Sequence, residues 1–559
     1  MRAPEIVTDG FPTRRSRWSE IATSADHKDV ARILIVSSLG FLFLGLIELL
    51  VMRLQLAIPE NTFLSPVAFN RMLSMYGATT VFFFLVPFFV GLFHYLAPLQ
   101  IGARWTALPR VSQLGAWLVI AGATVLYAGF LFTPSEAGVN PLPPLSELAF
   151  TANDGVDAWT SATGLATLGF VLIAIDLTTT LRRMRAPGMA WRRLPVFAWA
   201  AAICSWLLLV IGPIFLAALT MLEIDRNFDG VFFADGSGGA PLLWQHLSWI
   251  FFNGAYVLVL IGALGAIAEI VSAFARKPLF NRPAVIGSLI AIAVLGTLAW
   301  MQNMLTAPIA IGWMYFAMLV SLALIVPFGL ILFNLIATLV GGRVRMRAPL
   351  LFAAGAISMI SIGLAAEISH SMVAVAWQLK NTVDATAATH FALIGGGVFG
   401  GFAALHYWFP KMTGRTMGET LAGISFWTMV LGTLLAFGPL FLAGGEEGQV
   451  VDAYKYFEGT GVSAYNLIAT IGSFVLAIGV ILTLVNAIVS RVSGPEAGHD
   501  PWGGDSLEWF ASSPPEAHNF DLPPDVRSDR PLRDIREAIS HTAGRAAEER
   551  PAPESQPVA

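Results

Sequence analysis

The chain has little of what thiol chemistry, nucleic-acid binding or a soluble surface requires. It holds one cysteine, Cys204, in 559 residues. A single thiol excludes a disulfide framework, a thiolate zinc site and a dinuclear thiolate copper centre. Charged residues make up 13%, about half of the roughly 25% of an ordinary soluble domain. A net charge of −4 leaves no basic footprint, so no nucleic-acid partner is expected. Histidine is scarce as well. There are nine, and His27, His499, His518 and His541 stand in the polar tails. Residues 1–31 are polar, and the first apolar run is long enough to span a bilayer, so no cleavable leader is expected.

What is abundant is apolar sequence, at 56% of residues and a mean hydropathy of +0.68. Twelve runs approach the ~20 residues that a bilayer demands. They fall at 32–54, 70–97, 113–133, 160–181, 196–221, 244–272, 284–306, 312–339, 349–372, 385–409, 421–443 and 464–489. In lipid, an open segment satisfies its own backbone only as a helix. The expected fold is therefore an all-α integral membrane protein, a twelve-helix bundle. Three parts are expected: an N-terminal segment 1–31, a membrane domain 32–490 and a Pro-rich tail 491–559.

Charge sets the expected orientation. With the N-terminus inside, the even loops hold Arg104, Arg110, Arg182, Arg183, Arg185, Arg192, Arg193, Arg276, Lys277, Arg282, Arg343, Arg345, Arg347, Lys411 and Arg415. The odd loops hold Arg71, Arg226, Lys380 and Lys455. Fifteen against four obeys the positive-inside rule. Arg14, Arg15 and Arg17 agree. Both termini are expected in the cytoplasm of a bacterial inner membrane, and the tail is expected to have little structure of its own.

Four segments carry a family likeness: GLFHYLAPLQIGARWTALPR (91–110), MRAPGM (184–189), LTMLEIDRNFDGVFF (219–233) and HYWFPKMTGR (406–415). They resemble subunit I of the haem–copper respiratory oxidases, in order and at family spacing. WGGDSLEWFASSPPEAHNF (502–520) resembles that family's C-terminal stretch, which packs against the bundle. The likeness runs from about residue 30 to about 532 and implies the same twelve-helix fold. It also implies two haems and a copper on six histidines, because imidazole suits both haem iron and copper.

Position by position, the likeness puts other residues where those histidines belong. Met75-Tyr76-Gly77 stands for Met-His-Gly, whose histidine holds the low-spin haem. FFNGAY (251–256) stands for Gly-His-Pro-Glu-Val-Tyr, so that Asn253 takes a copper-ligand place. Trp300-Met301-Gln302-Asn303-Met304 stands for Trp-Ala-His-His-Met, the other two copper ligands. In Ala387-Ala388-Thr389-His390-Phe391, His390 keeps its place and Ala388 replaces a haem ligand. The lysine and aspartate of the proton paths match Ile331 and Trp105, and a magnesium-site His-Asp-Thr reads Lys380-Asn381-Thr382. No metal site and no copper are expected. The alternative is a single low-spin haem between Tyr76 and His390, near Arg53.

Other polar residues carry plainer expectations. His246 is read as a structural hydrogen-bonding histidine. His94 and His406 are placed at helix ends, near the interface. Glu367 and His370, three apart on one helix face, are read as helix-end contacts, because a di-iron pattern needs a second copy and two further glutamates. Glu48, Asp176, Glu223 and Glu269 are read as paired or snorkelling, with Glu223 beside Arg226. Asn253, Gln302 and Asn303 are expected close together, bonded to one another or to backbone. The expected role is a non-catalytic scaffold or assembly subunit, alongside subunit II-like and III-like proteins or an active paralogue. A haem-binding electron-transfer or sensing subunit on His390, or an active terminal oxidase, are the alternatives.

Overall fold

A computed structural model describes residues 23–234, 238–522 and 524–537. Arg14, Arg15, Arg17 and His541 lie outside that range. Among the described residues, twelve helices are long and apolar enough to cross a membrane: α1 His27–Gln55, α2 Pro66–Gln100, α3 Pro109–Phe132, α4 Gly155–Arg183, α5 Val196–Asn227, α6 Pro241–Ala275, α7 Arg282–Met304, α8 Ile311–Leu339, α9 Ala348–His370, α10 Val383–Thr413, α11 Glu419–Gly445 and α12 Val462–Ser493. Each coincides with one of the twelve apolar runs. Differences are confined to the ends, where several helices run past the apolar stretch into capped, polar turns. Asp26, Ser65, Asn281 and Thr382 accept first-turn N–H groups of α1, α2, α7 and α10. Pro66, Pro109 and Pro241 occupy first-turn positions where no N–H is needed.

In a membrane an all-round apolar helix can face lipid, and the most apolar span, α8, is the least enclosed while the least apolar, α10, is among the most enclosed. The most enclosed spans are α2, α6 and α10. They carry Tyr76, Asn253 and His390. The least enclosed is α8, which breaks at Leu324. Pro327 lies three residues beyond that break and has no N–H to give the preceding turn.

Three spans depart from regular α geometry, two within the helix and one at its C-terminal end. α2 widens into π-helical turns over Thr79–Leu85, and α10 does so over Phe391–Gly395. α7 tightens into 3-10 turns over Ala299–Met304. Such departures concentrate at functional sites, and here they follow Tyr76, follow His390 and contain Gln302 with Asn303.

The described segment after α12 has little regular secondary structure of its own and packs against the bundle, as the likeness of 502–520 implies. A set of anchors holds it there. The Trp502 indole N–H donates to the Tyr407 carbonyl at 2.8 Å, and Lys411 donates to the Ala511 and Ser512 carbonyls at 2.7 and 3.1 Å. Asn519 donates to the Ala103 carbonyl at 2.9 Å, and its amide oxygen accepts from Lys28 at 2.9 Å. Glu508 is fully buried and accepts from the Gln100 amide at 3.1 Å. Burial pushes the Glu508 carboxyl above the usual range, while the bonds from Gln100 and its neighbours pull it back.

Candidate functional site

Tyr76 and His390 face each other across α2 and α10. His390 Nδ1 lies 2.7 Å from the Thr386 carbonyl. A carbonyl only accepts, so Nδ1 carries the proton and Nε2 is left as an acceptor. The Tyr76 hydroxyl donates to that Nε2 at 3.0 Å, and the two rings are parallel within 2°. Phe437 lies against the other side of the imidazole, 4.7 Å between ring centroids. The imidazole is oriented as a metal-binding histidine is, with Nδ1–H on a carbonyl and Nε2 facing inward. Its inward partner is a phenol.

The four other positions that the likeness sets against family histidines are occupied by side chains turned to protein partners or, at Ala388, by none. Asn253 donates to the Gly296 carbonyl of α7. Gln302 donates to the Glu367 carbonyl at 3.0 Å and to its carboxylate at 3.2 Å, and accepts from Ser321 at 2.9 Å. Asn303 donates to the Trp300 carbonyl at 3.4 Å and accepts from Lys380 at 3.2 Å. Ala388 is fully buried and offers no donor atom. The expected bonds to backbone are present for all three amides. None of the three bonds another, because each reaches a nearer partner on its own side: α7 backbone, Glu367, or Lys380. Glu367 also accepts from Thr389, the residue before His390, at 2.8 Å. One polar network thus joins α7, α8, α9 and α10. Lys380 sits on the loop outside the spans, where burial lowers its ammonium pKa and the Glu367 carboxylate partly restores it.

The remaining histidines and acids divide clearly. His246 accepts from the Trp300 indole at 3.2 Å, as expected of a structural histidine. His370 meets Asp384 at 2.5 Å, a helix-end pairing, and does not share a partner with Glu367. His94 and His406 are buried within the bundle, six and seven residues before the C-terminal ends of α2 and α10. Their helices continue past them, His94 toward Asp176 at 4.0 Å and His406 onto the Phe402 carbonyl at 2.7 Å. Arg226 pairs with Asp157 at 2.7 Å, not with Glu223, which instead accepts from Thr160 and Asn227. Glu269 accepts two first-turn N–H groups of α5, from Val196 and Phe197. Arg53 donates to Asn466 on α12 at 3.0 and 3.1 Å.

The donor set does not fit a copper ion. Asn253, Gln302 and Asn303 offer amides, which are weak ligands beside imidazole, and the Gln302 and Asn303 oxygens already accept from Ser321 and Lys380. No cluster of three or more His, Cys, Asp or Glu suited to a metal occurs among the described residues. A haem fits poorly too. A metal bound on both sides needs about 2 Å to each ligand atom, hence roughly 4 Å between Tyr76 Oη and His390 Nε2, and 3.0 Å separates them. The cavity beside Tyr76, walled by Leu46, Phe84, Val398 and Leu476, measures about 30 Å³. That is space for a water or two, not a macrocycle.

Sequence reading missed the π-helical turns and the network through Glu367. No residue pattern marks a π turn. Gly363 is a partial signal, because a Cβ there would collide with the Ala392 backbone nitrogen inside the π segment of α10.

Comparison with known proteins follows this geometry. Residues 29–475 match the family model described as cytochrome c and quinol oxidase polypeptide I. Cytochrome c oxidase subunit 1 of Bacillus subtilis (strain 168) is 35% identical over 523 residues, 93% of this chain and 83% of that protein. Cytochrome c oxidase subunit 1 of Thermostichus vulcanus is 35% identical over 514 residues, 91% of this chain and 92% of that protein. A solved heme–copper terminal oxidase dimer superposes with a TM-score of 0.68 at 14% identity, over 93% of this chain and 99% of that one. That likeness speaks for the fold.

Proposed function

The chain belongs to the cytochrome c and quinol oxidase polypeptide I family, and from that premise we propose that it is a subunit I without the oxygen-reducing site. In this reading, it serves as a non-catalytic scaffold or assembly subunit of a respiratory oxidase-type complex. The observation that carries it is the Tyr76–His390 hydrogen bond, which joins two positions that a haem would have to part. The consumption of Asn253, Gln302 and Asn303 by protein partners supports it. The relatives are named as subunit 1 of an oxidase, so the partners proposed are subunit II-like and III-like proteins, or an active paralogue. The membrane proposed is the bacterial inner membrane, with both termini in the cytoplasm, on the positive-inside count.

The test is metal analysis and an optical spectrum on protein purified from a strain lacking paralogues, with oxygen uptake from cytochrome c and quinol donors. Neither copper nor haem at stoichiometric level, and no uptake, is the expected result. Copper together with uptake would overturn the reading. A lone Soret band that vanishes in His390→Ala would instead favour an electron-transfer or sensing subunit with one low-spin haem.

A further inference from the structure

We propose that Glu48 is a proton-binding site in the membrane interior, closed by Tyr127 and Thr79 and independent of any metal chemistry. Three helices meet there. The Tyr127 hydroxyl of α3 lies 3.0 Å from Glu48 Oε1 on α1, and the Thr79 hydroxyl of α2 lies 3.3 Å from the same oxygen. Thr79 Oγ1 and Tyr127 Oη are 2.9 Å apart. The three oxygens form a closed ring with three hydrogen-bonding contacts. Each contact needs one proton, and the two hydroxyls supply two. The third is the carboxyl's own. With it in place, Tyr127 donates to Oε1, Oε1–H donates to Thr79 and Thr79 donates to Tyr127. Without it, one contact sets two lone pairs against each other.

The second carboxyl oxygen points the same way. Oε2 is buried and meets no donor. Such an oxygen is tolerable as the carbonyl of a neutral acid and costly as half of an anion. No cation is placed to compensate. On α1 itself, Arg53 is directed to Asn466 through Nη2, leaves its Nε without a partner and makes no ion pair with Glu48, and Lys28 and Arg32 lie at least sixteen residues away, roughly 24 Å along the helix. On α2, Arg71 pairs with Glu136, and Tyr76 is bonded to His390. His94 and Tyr95, also on α2, lie at least fifteen residues beyond Thr79, roughly 22 Å along it. On α3, Arg110 is seventeen residues from Tyr127, about 25 Å. On α12, Tyr465 bonds Glu446, and Arg491 is in the last turn. Glu48 is thus left with hydroxyl partners and a proton as its one positive ligand.

Infrared difference spectroscopy of the full chain in lipid nanodiscs tests this. Wild type minus Glu48→Gln at neutral pH should show one lost protonated-carboxyl stretch, sensitive to deuterium exchange. Tyr127→Phe should shift that stretch by removing the donor to Oε1. If Glu48→Gln fails to assemble, the Tyr127→Phe shift alone decides. Loss of carboxylate bands only, or no shift in Tyr127→Phe, would overturn the proposal. The readout is the same with or without haem, so its failure leaves the functional reading standing, and the converse holds.

Discussion

The bond between Tyr76 and His390 yields the sharpest prediction. Tyr76→Phe keeps the ring that stacks within 2° of the imidazole and deletes only the hydroxyl. His390 Nε2 then faces an apolar interior without a donor. Leaving one buried acceptor unsatisfied costs about 1–3 kcal/mol. His390→Leu strands the phenol hydroxyl instead, at a similar cost plus some lost contact with Phe437. The double variant strands neither partner, and apolar replacement of both members of a pair is close to neutral. The sum of the single effects should therefore exceed the double by about 2–6 kcal/mol, well above the ~0.5 kcal/mol scatter expected of independent sites. The assay is reversible unfolding in mixed micelles for the four members of the cycle. Additive single variants would refute the bond. A coupling that appears only after haem is stripped from the purified protein would show that the two side chains are parted in the cell.

Other tests reach different parts of the chain. Gly363→Ala puts a methyl into the Ala392 backbone nitrogen, so α9 and α10 must separate; a drop in melting temperature larger than that of Gly423→Ala, where nothing crowds the added carbon, is expected. Glu508 binds its proton more tightly folded than unfolded. Its contribution is therefore complete below the ordinary carboxyl range, near pH 4.3, and is lost as pH rises through the raised folded value. Glu508→Gln should flatten that fall, and a melting-temperature profile identical to wild type would contradict it. Lys411→Met removes two charged hydrogen bonds to the Ala511 and Ser512 carbonyls, at about 1.5–3 kcal/mol each before compensation by water; faster proteolysis after residue 493 is the readout. Cysteines engineered in 135–158 should label from outside intact cells, and those in 184–193 should not; the reverse would sink the orientation.

The twelve spans were legible because hydropathy is a property of each residue summed along the chain, and no tertiary contact is needed to read it. Tyr76, Asn253, Gln302, Asn303, Ala388 and His390 could be singled out because family motifs hold their spacing. What those side chains touch was not. Gln302 bonds Glu367, 65 residues on, and that pairing depends on how α7 tightens into 3-10 turns. His94 and His406 looked like helix-end residues because the apolar runs stop near them, and their helices do end six and seven residues later, but their burial against neighbouring elements was not legible. For the tail, composition and family likeness pointed different ways. Its composition is that of a disordered segment, but Trp502, Glu508, Trp509 and Asn519 are spaced to reach Tyr407, Gln100, Lys411 and Ala103 at the end of the bundle. Composition counts what a segment could bury by itself. It does not count the surface that a neighbouring bundle presents to it, and here that surface settles the outcome.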